Sequence, residues 1–212
     1  MSIKTTEISG PVDVFFRVFP PTAGALLASL LALVFFTLYN SIPGINSGEV
    51  IQFSGFLLFG VTFVSALLAN VIAVIFLSLA NPHIYAHSIR QAATHIFFVT
   101  VGLFSLCAPL YLVLDVAVGF VLTQFLMPFS AIAAALVFEV CSLPENPLRA
   151  AYKGIFAGIV IVLATFLVFT PTIIPEVMMP FFLMPIAWFL IPLVSLAVGL
   201  IGDLLQQEAG SA

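Results

Sequence analysis

The sequence predicts an all-α integral membrane protein, built as a bundle of six transmembrane helices. Three observations predict it. Of the 212 residues, 63% are hydrophobic and 7% are charged, whereas roughly a quarter of the residues of a soluble domain are charged. Uncharged or nearly uncharged apolar runs recur along the chain, and about 20 such residues cross the hydrocarbon core of a bilayer. Connectors rich in Pro, Gly and Asn separate these runs. A lipid bilayer is therefore the expected surroundings of the chain.

The N-terminal segment, residues 1–21, is expected to lie on the cytoplasmic side, in the membrane interface. It mixes aromatic residues with few charges, which is typical of segments that bury one apolar side among lipid headgroups. Asp13 and Arg17 are four residues apart and are spaced to pair on one helical face. The segment lacks the order of basic, apolar and small residues that marks a removable signal peptide, so the first apolar run is expected to be retained.

A single transmembrane domain is predicted over residues 22–205, followed by a short cytoplasmic tail at 206–212. Its spans are expected at 22–40, 52–80, 92–114, 116–141, 155–174 and 177–203. Asn81 and Pro82 follow the second span and fit the N-cap and the first position of the third helix. Five prolines lie between positions 171 and 192, and each removes a backbone donor. The last helix is therefore expected to be proline-broken.

The orientation follows from the basic residues. When six spans alternate across the membrane, all five Lys and Arg residues of the chain fall on one side: Lys4, Arg17, Arg90, Arg149 and Lys153. Short cytoplasmic loops carry such an excess. The sequence therefore predicts cytoplasmic N- and C-termini and a multi-pass protein of the inner (cytoplasmic) cell membrane.

Two stretches are candidates for docking partner subunits. The first span carries Gly24, Ala28 and Ala32 at four-residue spacing, and small residues in that pattern let another helix approach closely. The polar stretch from Asn81 to His95 holds His83, His87 and Arg90 near the expected start of the third helix. Two histidines four residues apart share a helical face and can bind a divalent metal, but a site needs a third ligand at a recognisable spacing, so no metal site is predicted. The polar face is expected to meet lipid headgroups or another protein, and a protein is favoured.

Four residues inside the spans are candidates for a substrate or ion. Glu139 is a carboxylate within an apolar run, where carboxylates are usually paired or functional. It is expected either to bind a substrate or ion or to form a salt bridge with a basic residue of the same side. Gln124 and Asn70 are expected either to join helices by hydrogen bonds or to contact a substrate. Trp188 lies too deep for an interfacial anchor, so it is expected to pack in the bundle or to line a cavity.

Several function classes are disfavoured. The chain has no P-loop, no Gly-x-Ser-x-Gly and no His-Glu-x-x-His motif, and its connectors are too short for an extramembrane catalytic domain, so an enzyme is not expected. Haem needs two facing axial ligands, and His95 has no second deep histidine to pair with; no cofactor is predicted. With five Lys and Arg against nine Asp and Glu, the chain lacks the basic patch that nucleic acid requires.

Two functions remain. The first is a non-catalytic membrane subunit of a larger transport, secretion or energy-coupling assembly, and the scarcity of ionisable residues within the spans favours it. The second is a self-contained carrier or binder of a small solute, with a cavity near the proline-rich last span. In outline, six spans with cytoplasmic termini and a small-residue stripe on the first span are similar to the substrate-binding components of energy-coupling-factor vitamin transporters. That similarity is one of architecture and assigns no family.

Overall fold

The computed structural model describes residues 11–41, 54–82, 89–142, 155–161, 163–164 and 176–210. In this part of the chain the regular structure is helical and no strand occurs. The helices are α1 (Pro11–Asn40), α2 (Gly55–Ala80), α3 (Ile89–Val113), α4 (Val116–Ser142), α5 (described at 155–161 and 163–164) and α6 (Met179–Gly210), and a 3-10 turn, Glu176–Met178, precedes α6. Five of them are long and apolar enough to cross a membrane. The all-α prediction is confirmed, and these helices indicate a multi-pass membrane protein; most of the predicted fifth span, 155–174, lies outside the described residues.

Helix α1 begins at Pro11, well before the first predicted span. Proline is favoured at the first helical position because its missing N–H needs no partner there. The helix then continues through Pro20 and Pro21. Pro20 leaves the carbonyl of Phe16, four residues earlier, without its helical donor, and the Asn81 side-chain Nδ2 donates to that oxygen at 2.8 Å. A polar side chain at the end of α2 therefore supplies the bond that the proline removes.

Helix α6 is continuous from Met179 to Gly210, so the expected break in the last helix is wrong over these residues. Pro180 lies in the first turn, where a missing N–H has no cost. Pro192 deprives the Trp188 carbonyl of its helical donor. The Thr22 hydroxyl of α1, which has a single proton, lies 3.3 Å from that oxygen and 2.7 Å from Val18 O, so it is shared between the two acceptors. Pro171 and Pro175 lie outside the described residues.

The connections between helices are short where they are described. Ser54 caps the start of α2, and its hydroxyl accepts from Leu57 N–H at 3.2 Å. Asn81 ends α2: its backbone N–H donates to Leu77 O, at the position where the sequence predicted an N-cap for the next helix. Between α3 and α4, the Asp115 carboxylate accepts from Val116 N–H at 2.7 Å, so α4 starts at once and runs antiparallel to α3.

Helix α2 lies at the centre of the bundle and packs against α1, α3, α4 and α6. Its contact with α1 is closest at Gly24, where a Cβ would lie 2.9 Å from Ile72 O, so only glycine permits this separation. Helix α3 is more peripheral: 22% of its most apolar window is buried, against 50% for α4. The bundle has two ends. At the Arg17 end α1 begins and α2 finishes; at the Tyr111 end α2 begins and α3 finishes, with Gly55 against the Tyr111 carbonyl.

Candidate functional site

Four buried polar side chains from four helices meet in the middle of the bundle. Asn70 of α2 is the hub: its Nδ2 donates to Thr100 Oγ1 of α3 at 3.2 Å and to Ser130 Oγ of α4 at 3.3 Å. Its Oδ1 accepts from Trp188 Nε1 of α6 at 3.0 Å. Ser130 in turn donates to Met127 O at 2.7 Å. These four residues, Asn70, Thr100, Ser130 and Trp188, are the Asn70 cluster.

The chemistry of the Asn70 cluster determines how the amide is oriented. An indole N–H can only donate, so the amide atom that faces Trp188 must be the oxygen, and the nitrogen then faces the two hydroxyls. Asn70, Thr100 and Ser130 have no exposed surface, and Trp188 is 1% exposed. Three of the four hydrogen bonds that an amide can make are used inside the chain. The cluster is therefore a closed joint between α2, α3, α4 and α6.

A second polar group lies towards the Tyr111 end. The Tyr111 hydroxyl is 2.8 Å from Thr123 Oγ1, and Thr123 Oγ1 is 3.4 Å from Thr62 Oγ1. Both threonine hydroxyls also donate to carbonyls of their own helices. Gln124, the next residue on α4, donates its Nε2 to the Met179 sulfur at 3.2 Å. A thioether is a weak acceptor, so Gln124 is held less firmly than Asn70.

A cavity of about 50 Å³ opens at the Arg17 end between α1, α2, α4 and α6. Arg17 lines it together with Leu77, Ala135, Phe138, Trp188, Ile191, Pro192, Ser195 and Leu196. The Arg17 Nε is buried and has no hydrogen-bond partner among the described residues. None of the described residues that line the cavity is acidic. A cation is thus presented to a small cavity whose other walls are mostly apolar.

An apolar groove of about 430 Å³ lies beside this cavity, between α1 and α6. Its walls include Val14, Phe15, Val18 and Phe19 of α1 and Phe189 and Leu193 of α6. The rings of Phe15 and Phe19 are stacked with centroids 4.9 Å apart. The groove offers almost no polar surface, so it suits a hydrocarbon chain.

The structure brings together two of the four predicted substrate or ion residues. Asn70 and Trp188 bond directly to each other, as described above, whereas Gln124 lies towards the Tyr111 end. The backbone of Glu139 is in α4 near the Arg17 end, and its side chain lies outside the described residues. No carboxylate can therefore be assigned to the Asn70 cluster.

The predicted docking residues fall into two groups. Gly24 packs on Ile72 and Ala73 of α2, Ala28 is fully buried and Ala32 is 6% exposed beside Phe36 and Phe181. This stripe is thus filled by helices of the same chain. Arg90 is exposed near the start of α3, while His83 and His87 lie outside the described residues.

Arg17 was not predicted as a site residue. It was expected only to mark the orientation and to pair with Asp13, whose side chain lies outside the described residues. A signal was present: Arg17 precedes Gly24 by seven residues, two helical turns, so it continues the small-residue stripe that faces the bundle. A cation on the face of a helix that packs against other helices is unusual, and the spacing from Gly24 is enough to predict that Arg17 lies on that face.

The described part of the chain contains no group of three or more His, Cys, Asp and Glu residues that could hold a metal ion. No family model, curated protein or solved structure matches the chain.

Proposed function

We propose that this chain is a non-catalytic, multi-pass subunit of a larger membrane assembly of the transport, secretion or energy-coupling type. The observation that carries the proposal is the bond between Asn70 and Trp188. These are two of the residues that a carrier would direct at its solute, and here each satisfies the other. The polar groups of the Asn70 cluster join helices, which supports a subunit over a carrier that would direct the same groups at its solute.

The sizes of the cavities support the same proposal. Sites for small organic molecules usually measure about 300–1,000 Å³ and combine an apolar wall with a few polar groups. The cavity with polar groups is about 50 Å³, and the larger groove is almost wholly apolar. The continuity of α6 also weighs against a carrier, because a broken helix was the reason to expect a solute site there.

The proposed topology has six spans, with both termini on the cytoplasmic side of the inner membrane. It rests on the alternation of the five basic residues. In this arrangement the connector that holds His83 and His87, outside the described residues, is on the cytoplasmic side, as is Arg90, which is exposed near the start of α3. Helix α3, which is buried least of the five long helices, then continues this docking surface into the membrane.

The test is native mass spectrometry of the full chain, tagged at its chromosomal locus and released in a mild detergent. We expect a defined complex in which the 22.7 kDa chain is joined by other polypeptides at fixed stoichiometry. A triple variant, His83→Ala with His87→Ala and Arg90→Ala, should lose these polypeptides while remaining in the membrane. The matched control, Thr37→Ala with Ser41→Ala, changes exposed polar residues near the C-terminal end of α1, far from the Arg17 end of the bundle. This variant should keep the partner polypeptides.

The result that would contradict the proposal is a single chain of 22.7 kDa that retains a small polar solute. Loss of that solute on Gln124→Leu, with the folded chain intact, would instead support a self-contained binder.

A further inference from the structure

The Arg17 guanidinium has one buried donor, its Nε, without an acceptor among the described residues. Ser195 is the other polar side chain that lines its cavity. A guanidinium has five N–H donors in a planar fork, which matches the oxygens of a phosphate. An anion in this cavity would supply the acceptors that the described residues do not.

The depth of Arg17 indicates which anion is available. The preceding residue, Phe16, is bonded through its carbonyl to Asn81, which directly follows the last residue of α2. Leu77, which also lines the cavity, is about one turn before that end. The guanidinium thus lies where a membrane-crossing helix finishes, at the level of the polar headgroups. Basic pockets between helices at this level bind phosphate-bearing headgroups.

The apolar groove continues from the same two helices. On α1, Arg17 lies between Val14 and Val18, which both line the groove. On α6, Trp188 lines the cavity and its neighbour Phe189 lines the groove. The cationic site and the apolar site are therefore adjacent faces of one α1–α6 contact. With the charge at the headgroup level, the part of the groove between Val18, Thr22 and Phe189 extends from it towards the hydrocarbon.

We propose that this contact binds one phospholipid of the bilayer, with the lipid phosphate on the Arg17 guanidinium and an acyl chain in the groove between α1 and α6. A free phosphate has the same acceptor chemistry but leaves the groove unused. A neutral lipid fills the groove but leaves Arg17 unpaired. Only a phospholipid satisfies both parts.

The experiment uses the full chain, stripped of lipid in detergent and titrated with phosphatidylglycerol under native mass spectrometry. We expect one phosphatidylglycerol to be retained by the wild-type chain. Arg17→Gln should weaken phosphatidylglycerol binding by about tenfold, which corresponds to the loss of one charge-assisted hydrogen bond. The affinity of Arg17→Lys should lie between those of the wild type and Arg17→Gln, since lysine keeps the charge but lacks the planar set of donors. Thr37→Ala changes an exposed polar residue away from the cavity and should change binding by less than about twofold.

A second pair of variants tests the groove without altering the charge. Leu193→Trp, on the α6 wall of the groove, fills the groove and should lower retention of phosphatidylglycerol, whereas Leu30→Trp, at an exposed position of α1, should leave it unchanged. This pair keeps the proposal testable even if Arg17→Gln fails to fold.

Three results would overturn the proposal. The first is equal retention of phosphatidylglycerol by the wild type and Arg17→Gln. The second is equal retention of diacylglycerol, which has the chains but no phosphate. The third is thermal protection by inorganic phosphate alone that depends on Arg17, because the site would then take a free anion. None of these outcomes depends on whether partner polypeptides are found.

Discussion

Asn70 and Arg17 are both polar residues among apolar ones, on helical faces that point towards the bundle. They differ in their hydrogen-bond partners. Asn70 has three side-chain partners within 3.3 Å, from three other helices. The Nε of Arg17 has none among the described residues. The amide lies in a closed joint in the middle of the bundle, whereas the guanidinium lines a cavity at one end.

The difference between the two sites distinguishes a polar group that links helices from one that is free to bind a ligand. A polar group in an apolar helix is costly unless it is bonded. When the partners come from the chain itself, as at Asn70, the group links helices by hydrogen bonds. When the chain leaves a donor unpaired, as at the Arg17 Nε, a molecule from outside can supply the acceptor, and we propose that a phospholipid does so here.

Replacing the hub of the closed joint should have the largest effect on stability. Asn70→Ala removes three interhelical bonds, worth about 0.6 kcal/mol each within membranes, and leaves the buried Trp188 N–H unpaired at a cost of about 1–3 kcal/mol. We expect the free energy of unfolding in mixed micelles to fall by about 3 kcal/mol. Thr37→Ala, an exposed hydroxyl bonded within its own helix, should change it by less than about 0.5 kcal/mol. A stable Asn70→Ala protein that loses a bound solute would assign the amide to a ligand instead.

A smaller effect is expected where Asn81 compensates for Pro20. Asn81→Ala should lower the free energy of unfolding by about 1 kcal/mol, because the Phe16 carbonyl loses its donor. In a Pro20→Ala background the new N–H at position 20 can reach that carbonyl, so the same substitution should cost clearly less. The measurement is a double-mutant cycle under reversible unfolding. Additive effects of the two substitutions would show that the bond from Asn81 to Phe16 does not compensate for Pro20.

The smallest effect is expected at the unpaired site. In detergent free of phospholipid, Arg17→Met keeps the apolar stem and removes a cation whose Nε has no described partner, so the free energy of unfolding should change by less than about 0.5 kcal/mol. Added phosphatidylglycerol should stabilise the wild type and not the variant, because a ligand that binds only the folded chain adds to its stability. A loss above about 1 kcal/mol without lipid would mean that Arg17 already has a partner in the chain.

Much of the fold was predictable from local pattern. Apolar runs of span length identified α1 to α4 and α6, and the end of α4 at Ser142 lies next to the predicted limit. Helix α1 starts earlier than expected, and α6 continues through Pro185 and Pro192, because donors on neighbouring helices replace some of the bonds that prolines remove. Those donors, Asn81 and Thr22, lie far away in sequence from the carbonyls of Phe16 and Trp188 that they reach.

For the candidate sites, the sequence indicated which residues to consider but not which of two roles each one has. Asn70 was expected either to join helices or to contact a substrate, and Trp188 either to pack or to line a cavity. Which alternative holds depends on whether the two side chains meet, and their bond spans helices α2 and α6. Arg17 was assigned to orientation and to a pairing with Asp13. The small-residue stripe indicates that it faces the bundle, but its cavity needs walls from α2, α4 and α6 that no local pattern reveals.

By itself the sequence determined that this chain is helical and suited to a bilayer, since hydropathy and run length depend only on neighbouring residues and on the solvent around them. The tertiary structure decided which polar groups are satisfied and which are not, because a hydrogen bond between helices depends on the position of both partners in space. That is why Asn70, a substrate candidate by sequence, is a structural joint, and why Arg17, a topology marker by sequence, is the residue we propose to bind a phospholipid.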